Sequence, residues 1–307
     1  MDGILALWKE RGMTSHDCVF KLRKILKTKK IGHGGTLDPD VDGILPICIG
    51  KGTKVIEFMQ DSGKVYSGEI TVGYTTTTED ASGEKVEFMP INTPFTNAEI
   101  DAAMKTMEGE ITQIPPMYSA VKVNGKRLYE YARAGLTVER PKRKAMIKSF
   151  RRTSEPTFDE EAKTQSWRFE VACGKGTYVR TLAVDTGKKL GVPAHMSDLT
   201  RLESGGLKVA QSLTLAQVAD AVENQTILEY VLPIEYGIAA FHKVNIDDKI
   251  WQQVKNGMRL SPTAFGLEKV PSEPIALYYA GKVVALYESN SKEKNKLKPL
   301  KMLRTEV

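Results

Sequence analysis

The sequence has few of the residues that build metal centres and disulfide frameworks. Three cysteines occur in 307 residues, far apart and without CxxC spacing, at Cys18, Cys48 and Cys173. Four histidines are present, and none belongs to an HExxH motif or lies beside a pair of cysteines. This scarcity is typical of a reducing compartment and gives no zinc signature. We therefore predict a cytoplasmic protein without a metal site.

Long hydrophobic runs are also missing. No stretch approaches the roughly 20 consecutive apolar residues that a membrane span needs. The N-terminal MDGILALWKERG has an acidic residue and only a short apolar run, which argues against a signal peptide. No GxGxxG, GxxxxGK[ST] or GxSxG motif occurs. Nucleotide cofactors and a serine nucleophile thus lack sequence support, and a carboxylate or a tyrosine would have to carry any reaction.

The chain does carry an excess of positive charge. Its formal net charge is +6, with an isoelectric point near 9.0, which favours a polyanionic partner. From Gly237 onward, 12 Lys and Arg stand against 7 Asp and Glu, so that +5 of the excess lies in this segment. Its lysines are typical either of nucleic-acid contact or of a solvated surface.

Strand and helix patterns alternate along the chain. Residues 15–28 have helical spacing behind a Thr14-Ser15 cap, and residues 126–134 and the segment after GKGTY also have helical character. YSGEITVGY and WRFEVACG alternate as strands, and PIALYYAGKVVALYE predicts a hairpin. We expect an α+β fold with a mixed, largely antiparallel central sheet and flanking helices. A first domain should span residues 1–236, and a small β-rich module residues 237–307.

The loop GHGGTLDPDVDG, residues 32–43, places three aspartates in six positions. It matches the first half of an EF-hand loop, but the twelfth position, which should hold a bidentate carboxylate, is Ile49. A calcium site is therefore disfavoured. Asp38 lies between a glycine-rich loop and an apolar run, where a held carboxylate could act as a nucleophile or a base. The alternative is an aspartate that only caps an Asp-Pro turn.

Two further groups have both a chemical and a plain interpretation. GTYVR places Tyr178 and Arg180 at a glycine turn that enters a helix, where the arginine could pair with a carboxylate. In the alternative interpretation, Tyr178 packs in the core and Arg180 lies on the surface. Tyr66, in KVY, could stack on a base or belong to the core.

The order of several long motifs resembles the bacterial tRNA pseudouridine synthases of the TruB type almost end to end. These motifs are GILALWKERGMTSHDCVFKLRK, GHGGTLDPDVDGILPICIGKGTK, KVYSGEITVGYTTTTEDASGE, PPMYSAVKVNGKRLYEYARAG, ERPKRK, GKGTYVRTLAVDTGKKLG and AHMSDLTRLESG. The C-terminal module resembles a PUA domain, a small RNA-binding β-fold. The resemblance implies the pseudouridine synthase fold and isomerisation of the uridine at position 55 in the T-loop of tRNA.

The resemblance also implies roles for particular residues. Asp38 would be the catalytic aspartate, Tyr66 would stack on the target uracil, and Arg180 would pair with Asp38. Further residues would line the pocket or lie near the bound RNA loop: Tyr178, Leu199, Lys9, His33 and Asp80. Asp38 would either attack the ribose C1′ or remove a proton from C2′, and the sequence leaves both routes open.

Because the reaction is an isomerisation, the resemblance implies no cofactor and no metal. We expect a monomer that binds the T-arm of tRNA, is not attached to a membrane, and needs no guide RNA. Two alternatives are a guide-dependent synthase of the archaeal or eukaryotic type and a tRNA-binding or tRNA-folding factor in which catalysis is secondary.

The sequence departs from the family pattern around Asp38. Gly34 stands where the family has threonine, Asp40-Val41-Asp42 replaces a small apolar stretch, and Glu10-Arg11 follows Lys9 where proline is usual. Nearby negative charges disfavour ionisation of a carboxyl unless a cation compensates. Arg180 is the cation that could compensate; without it, the added acids would reduce activity or weaken RNA affinity, unless solvent absorbs the charge. Synthase activity stays the expectation.

Overall fold

The computed structural model describes all of residues 1–307, which form a ten-stranded sheet, a four-stranded sheet, two small two-stranded sheets and the helices packed on them. The N-terminal part holds β1 (Gly3–Lys9), β2 (Ile31–His33), β3 (Asp42–Ile49), β4 (Lys64–Val72), β5 (Tyr74–Thr76), β6 (Lys85–Phe88), β7 (Gly109–Gln113), β8 (Lys122–Val123), β9 (Lys126–Arg127), β10 (Arg143–Arg152), β11 (Thr157–Asp159), β12 (Thr164–Cys173), β13 (Ala194–Ser204) and β14 (Leu207–Lys208). The C-terminal part holds β15 (His242–Asn245), β16 (Ile275–Tyr279), β17 (Lys282–Ser289) and β18 (Leu297–Met302).

The α-helices are α1 (Ser15–Ile25), α2 (Ile56–Gln60), α3 (Asn97–Lys105), α4 (Leu128–Arg133), α5 (Val179–Leu190), α6 (Leu215–Glu223) and α7 (Asp248–Val254). None of them combines the length and the apolar character that crossing a membrane requires.

The larger sheet runs in the order β1-β3-β13-β4-β12-β10-β7, with β2, β11 and β14 paired at its margins. Every pairing in it is antiparallel except that of β3 with β13. Helices α3 and α5 pack on β10 and β13, while α1 and α6 lie against β2 and β1. The predicted α+β fold with a mixed, largely antiparallel sheet is confirmed.

Alternating side chains anchor the middle of this sheet. Along β12, every second residue from Trp167 to Cys173 is buried in a core that α3 and α5 cover. β4, between β12 and β13, continues that core through Ile70 and Val72 and ends before Gly73. The strand predicted at 66–74 has the predicted length of nine residues but lies two residues earlier, because Gly73 has a φ of +120° that interrupts the strand.

Two predicted helices differ in extent. The first ends at Ile25 instead of residue 28, and the chain then forms β2 on the edge of β3, so that Gly32 lies in a strand. The helix predicted from residue 126 begins at Leu128, because β8 and β9 pair across Asn124-Gly125. Both turn residues have positive φ, +49° and +83°, the conformation that a tight Asn-Gly hairpin needs.

The C-terminal sheet has the order β15-β16-β17-β18, with the predicted hairpin turning at Ala280-Gly281. It shares a hydrophobic cluster with the larger sheet, in which Ile4 and Cys48 meet Ala276 and Leu286. A β-rich C-terminal part is confirmed, and the boundary between residues 236 and 237 remains a prediction.

Candidate active site

A cleft of about 500 Å³ opens beside the loop that joins β2 to β3. Its wall contains five of the eight residues that the sequence singles out: Asp38, Tyr66, Tyr178, Arg180 and Leu199. These residues come from one loop, two neighbouring strands and the start of α5, so only the folded chain brings them together. An ionisable carboxyl, an arginine and two phenols thus face one concave space.

Arg180 contacts four groups in and around the cleft. Its Nη2 lies 3.2 Å from Oδ2 of Asp38 and donates to the carbonyl of Tyr118 at 3.0 Å. Its Nη1 donates to the carbonyl of Thr78 at 3.0 Å and lies 3.3 Å from Oδ2 of Asp80. Only 10% of the arginine side chain is exposed, against 50% for that of Asp38. The guanidinium is therefore fixed from within the protein and presents the Asp38 carboxylate to the open cleft.

Backbone contacts hold the Asp38 turn from below. The N–H of Leu37 donates to Oγ of Ser15 at 2.9 Å, and the same hydroxyl donates to the Leu37 carbonyl at 3.2 Å. On the other side, Nζ of Lys9 donates to the Pro39 carbonyl at 3.1 Å. Asp38 is thus clamped between two anchored neighbours, which limits the positions that its carboxylate can take.

Two strands supply the apolar wall. Tyr66 lies on β4 and is only 9% exposed, and Leu199 lies on β13 opposite Gly68. Burial raises the pKa of the Tyr66 phenol, while the nearby Arg201 guanidinium acts in the opposite direction. A neutral aromatic ring beside a leucine forms a surface on which a planar base can pack.

Comparisons with known proteins identify the family of the chain. A family model described as TruB family pseudouridylate synthase (N terminal domain) matches residues 23–179. A second, described as tRNA pseudouridylate synthase B C-terminal domain, matches residues 180–239. The chain belongs to the TruB family of pseudouridylate synthases. It is a tRNA pseudouridine synthase, which isomerises uridine in tRNA.

Curated relatives and solved structures cover nearly the whole chain. The tRNA pseudouridine synthase B of Levilactobacillus brevis is 53% identical over 302 residues, 98% of this chain and 99% of the relative. That of Streptococcus pyogenes is 53% identical over 305 residues, 99% of each chain. A chain in the crystal structure of a Cbf5-Nop10-Gar1 complex superposes with a TM-score of 0.76 at 27% identity, covering 98% of this chain and 85% of its own. A chain in an H/ACA RNP bound to a substrate RNA containing 2′-deoxyuridine gives 0.71 at 26% identity, covering 98% and 85%.

The remaining predicted site residues lie outside the wall of the cleft. Asp80 lines a neighbouring cavity of about 290 Å³ and reaches the site through Arg180. Lys9 is fully buried, and burial lowers the pKa of its amino group, against the opposing effects of Cys18 and nearby aspartates. His33 packs edge-on against His16, and burial lowers its pKa. Their predicted contacts with RNA stay predictions, whereas the part that Lys9 plays in holding the turn is visible.

The unusual acidic residues of this TruB chain have partners of their own. Asp42 lies 3.2 Å from Nε of Arg11 and accepts from the Thr200 hydroxyl at 2.6 Å. The same arginine pairs with Asp198 at 2.7 Å. Two departures from the family pattern, Arg11 and Asp42, thus neutralise each other beside the cleft, whereas Glu10 and Asp40 are left exposed.

The disfavoured calcium site also finds no support in the loop. Asp38 turns to Arg180 and Asp42 to Arg11, so the carboxylates do not converge. No group of three or more His, Cys, Asp or Glu is arranged to hold a metal ion anywhere in the chain.

Three positioning contacts were not apparent in the sequence. Ser15 looks like a helix cap but binds Leu37, because Thr14 takes the capping role. The side chain of Gln113 exchanges two hydrogen bonds with the backbone of Tyr178, at 3.0 and 3.1 Å. Tyr118 contributes only a carbonyl to Arg180. Every residue has a backbone carbonyl and nearly every residue a backbone N–H, so contacts with these groups cannot be predicted from sequence motifs.

Glu79, next to Asp80, yields a prediction about pH. It accepts from the Thr181 hydroxyl at 2.7 Å, yet burial raises its pKa above the ordinary 4.5, an effect that Thr181 and Arg180 only partly offset. A raised pKa means that the folded protein binds this proton more tightly than the unfolded chain does. Glu79 therefore lowers stability once the pH rises above the unfolded pKa.

We expect Glu79→Gln to melt at the same temperature as the wild type near pH 4 and at a higher temperature near pH 7.5. Thermal unfolding followed by circular dichroism at both pH values measures the difference. A gain in melting temperature that is larger at pH 4 than at pH 7.5 would contradict the assigned direction.

Proposed function

We propose that the protein converts the uridine at position 55 of the tRNA T-loop to pseudouridine, with Asp38 as the catalytic carboxylate. The observation that carries this proposal is the pairing of Asp38 with Arg180 in the cleft that Tyr66 also lines. We further propose that it acts in the cytoplasm as a monomer, without a guide RNA.

The isomerisation of uridine requires few functional groups from the protein. The C1′–N1 glycosidic bond breaks, the uracil turns, and a C1′–C5 bond forms, while the C5 proton leaves and N1 gains a proton. No electron is gained or lost overall. Asp38 either forms a transient bond to C1′ or removes the C2′ proton, and Arg180 holds its carboxylate for either route. The Tyr66 ring would pack against the detached uracil and prevent its escape.

The target uridine must leave its stack to reach Asp38. Flipping a nucleotide out costs a few kcal/mol. Packing on Tyr66 and Leu199 would offset part of that cost, and contacts with phosphates would offset more.

A basic, aromatic segment borders the cleft and suits an RNA backbone. Residues 122–144 contain eight Lys and Arg against two Glu, and most of the cations are exposed. Arg127 and Tyr129 line the cleft itself, and the Arg133 guanidinium lies over the Tyr129 ring. Phosphate contacts of this kind make affinity fall steeply as salt rises.

The test is an assay on an unmodified T-arm hairpin that carries [5-³H]uridine at the target position. Because the C5–H bond breaks in the reaction, tritium should appear in water without any added RNA or protein. A hairpin that carries the [5-³H]uridine label only at another T-loop position serves as the control substrate and should release no tritium. The assigned position would be refuted if folded protein released no tritium from the labelled hairpin but still formed pseudouridine at another position of intact tRNA.

A further inference from the structure

Arg201, on β13, is a buried cation without an anionic partner. Its side chain lies among the largest that are fully buried, with 1% exposure, and it forms no salt bridge. Removing a guanidinium from water costs several kcal/mol unless strong partners compensate. An apolar residue of similar size would avoid this cost, so the arginine calls for an explanation other than packing.

Three backbone carbonyls accept hydrogen bonds from the Arg201 guanidinium. Nε donates to Ile44 at 2.8 Å, Nη2 to Gly35 at 3.0 Å, and Nη1 to Thr36 at 3.3 Å. Ile44 belongs to β3, whereas Gly35 and Thr36 belong to the loop that carries Asp38. The side chain therefore ties the catalytic loop to the sheet beneath it.

The same residue adjoins the aromatic wall. In the pairing of β4 with β13, Arg201 lies directly across from Tyr66. On its other side it pairs with Gly43 of β3, where an added Cβ would come within 2.2 Å of the Arg201 carbonyl oxygen. Gly43 thus lets β3 and β13 approach each other closely at this point.

The Arg201 guanidinium influences the pKa of the Tyr66 phenol. Burial raises the pKa of the phenol, and the positive charge of the nearby Arg201 guanidinium acts in the opposite direction. Arg201 is therefore both the cross-strand neighbour of Tyr66 and a hydrogen-bond donor to the loop of Asp38.

We propose that Arg201 is a positioning residue that fixes the Tyr66 ring relative to the Asp38 carboxylate, an inference that rests on their proposed roles. Arg201 does not touch the substrate. It holds the phenol oxygen with the charge of its guanidinium and the loop carbonyls with its N–H groups, so both reactive parts share one anchor. Its planar fork is what a lysine cannot reproduce.

The experiment compares Arg201→Lys and Arg201→Gln with the wild type in single-turnover assays on tRNA, alongside tRNA dissociation constants. Arg152→Lys is the matched control, because Arg152 is a largely buried arginine on β10 that pairs with Asp101 outside the cleft. Each variant is also made in a Tyr66→Phe background, and folding is checked by circular dichroism and thermal unfolding.

We expect Arg201→Lys to slow the single turnover by about 10²-fold, since misplacement of a reacting group by about 1 Å has an effect of that size. Arg201→Gln should be slower still, and both should keep the tRNA dissociation constant within about threefold of the wild type. Arg152→Lys should keep the wild-type rate. In the Tyr66→Phe background the effect of Arg201→Lys should shrink, because the phenol oxygen is no longer there to be held.

Three results would overturn the proposal. A folded Arg201→Lys with a wild-type rate would show that the fork is not needed. Rate losses that simply multiply with Tyr66→Phe would remove the link to the phenol. Failure of both Arg201 variants to fold would assign the residue to stability instead. The assays use whichever tRNA the wild type modifies, so an error in the proposed T-loop position would not affect this test.

Discussion

Asp38→Asn should abolish pseudouridine formation while leaving tRNA binding nearly intact. The amide has the shape of the carboxylate but can neither attack C1′ nor remove the C2′ proton, so we expect a rate loss of at least about 10³-fold. Because half of the Asp38 side chain is exposed, losing its pair with Arg180 should lower stability by no more than about 1 kcal/mol. Tritium release in single turnover and filter binding of tRNA measure the two effects.

The chain offers a matched control two residues away. Asp40→Asn makes the same chemical change in the same turn, at an exposed carboxylate without an ion-pair partner. It should keep the wild-type rate. Turnover by Asp38→Asn within about tenfold of the wild type would place the reactive group elsewhere. Equal acceleration of tRNA folding by the wild type and by inactive Asp38→Asn would establish a separate folding role, the alternative that the sequence left open.

Regular patterns predicted the scaffold well because they report local energetics. The alternation from Trp167 to Cys173 gave a strand that the structure confirms. Element ends were less accurate, since they depend on distant partners. The helix predicted from Lys126 starts later because that residue pairs across a turn with Val123. The helix predicted to continue to residue 28 ends at Ile25, before the chain forms β2.

The site itself was predictable only in part. The resemblance named Asp38 and Arg180, and their pairing is seen in the structure, whereas residue types alone could not separate that pairing from an Asp-Pro turn and a surface arginine. The neutralisation of Asp42 by Arg11 joins residues 31 positions apart, and neither residue type implies the other. A buried arginine such as Arg201 is equally hard to foresee, because sequence patterns treat arginine as a surface residue.

Arg180 offers the second large effect, on stability as well as on rate. Arg180→Met removes a guanidinium that is 10% exposed and takes their Arg180 donor from Oδ2 of Asp80 and from the carbonyls of Thr78 and Tyr118. Breaking a buried, hydrogen-bonded pair by removing one partner costs about 3–5 kcal/mol. Asp38 would also lose the group that orients it, so the turnover rate should fall by at least about 10²-fold. Urea unfolding and single-turnover tritium release measure the two losses.

Arg180→Lys and an arginine outside the cleft separate charge from geometry. A lysine keeps the positive charge but offers one ammonium group where the guanidinium reaches four acceptors, so it should regain part of the stability and little of the rate. Arg168→Met removes a more exposed arginine, 43% accessible, from its pair with Asp198, and should cost less than about 1 kcal/mol. Full activity of Arg180→Lys would mean that a positive charge alone suffices beside Asp38. A stability loss in Arg180→Met no larger than that in Arg168→Met would mean that the four contacts of Arg180 do not act as an anchor, and that Asp38 is held by its turn alone.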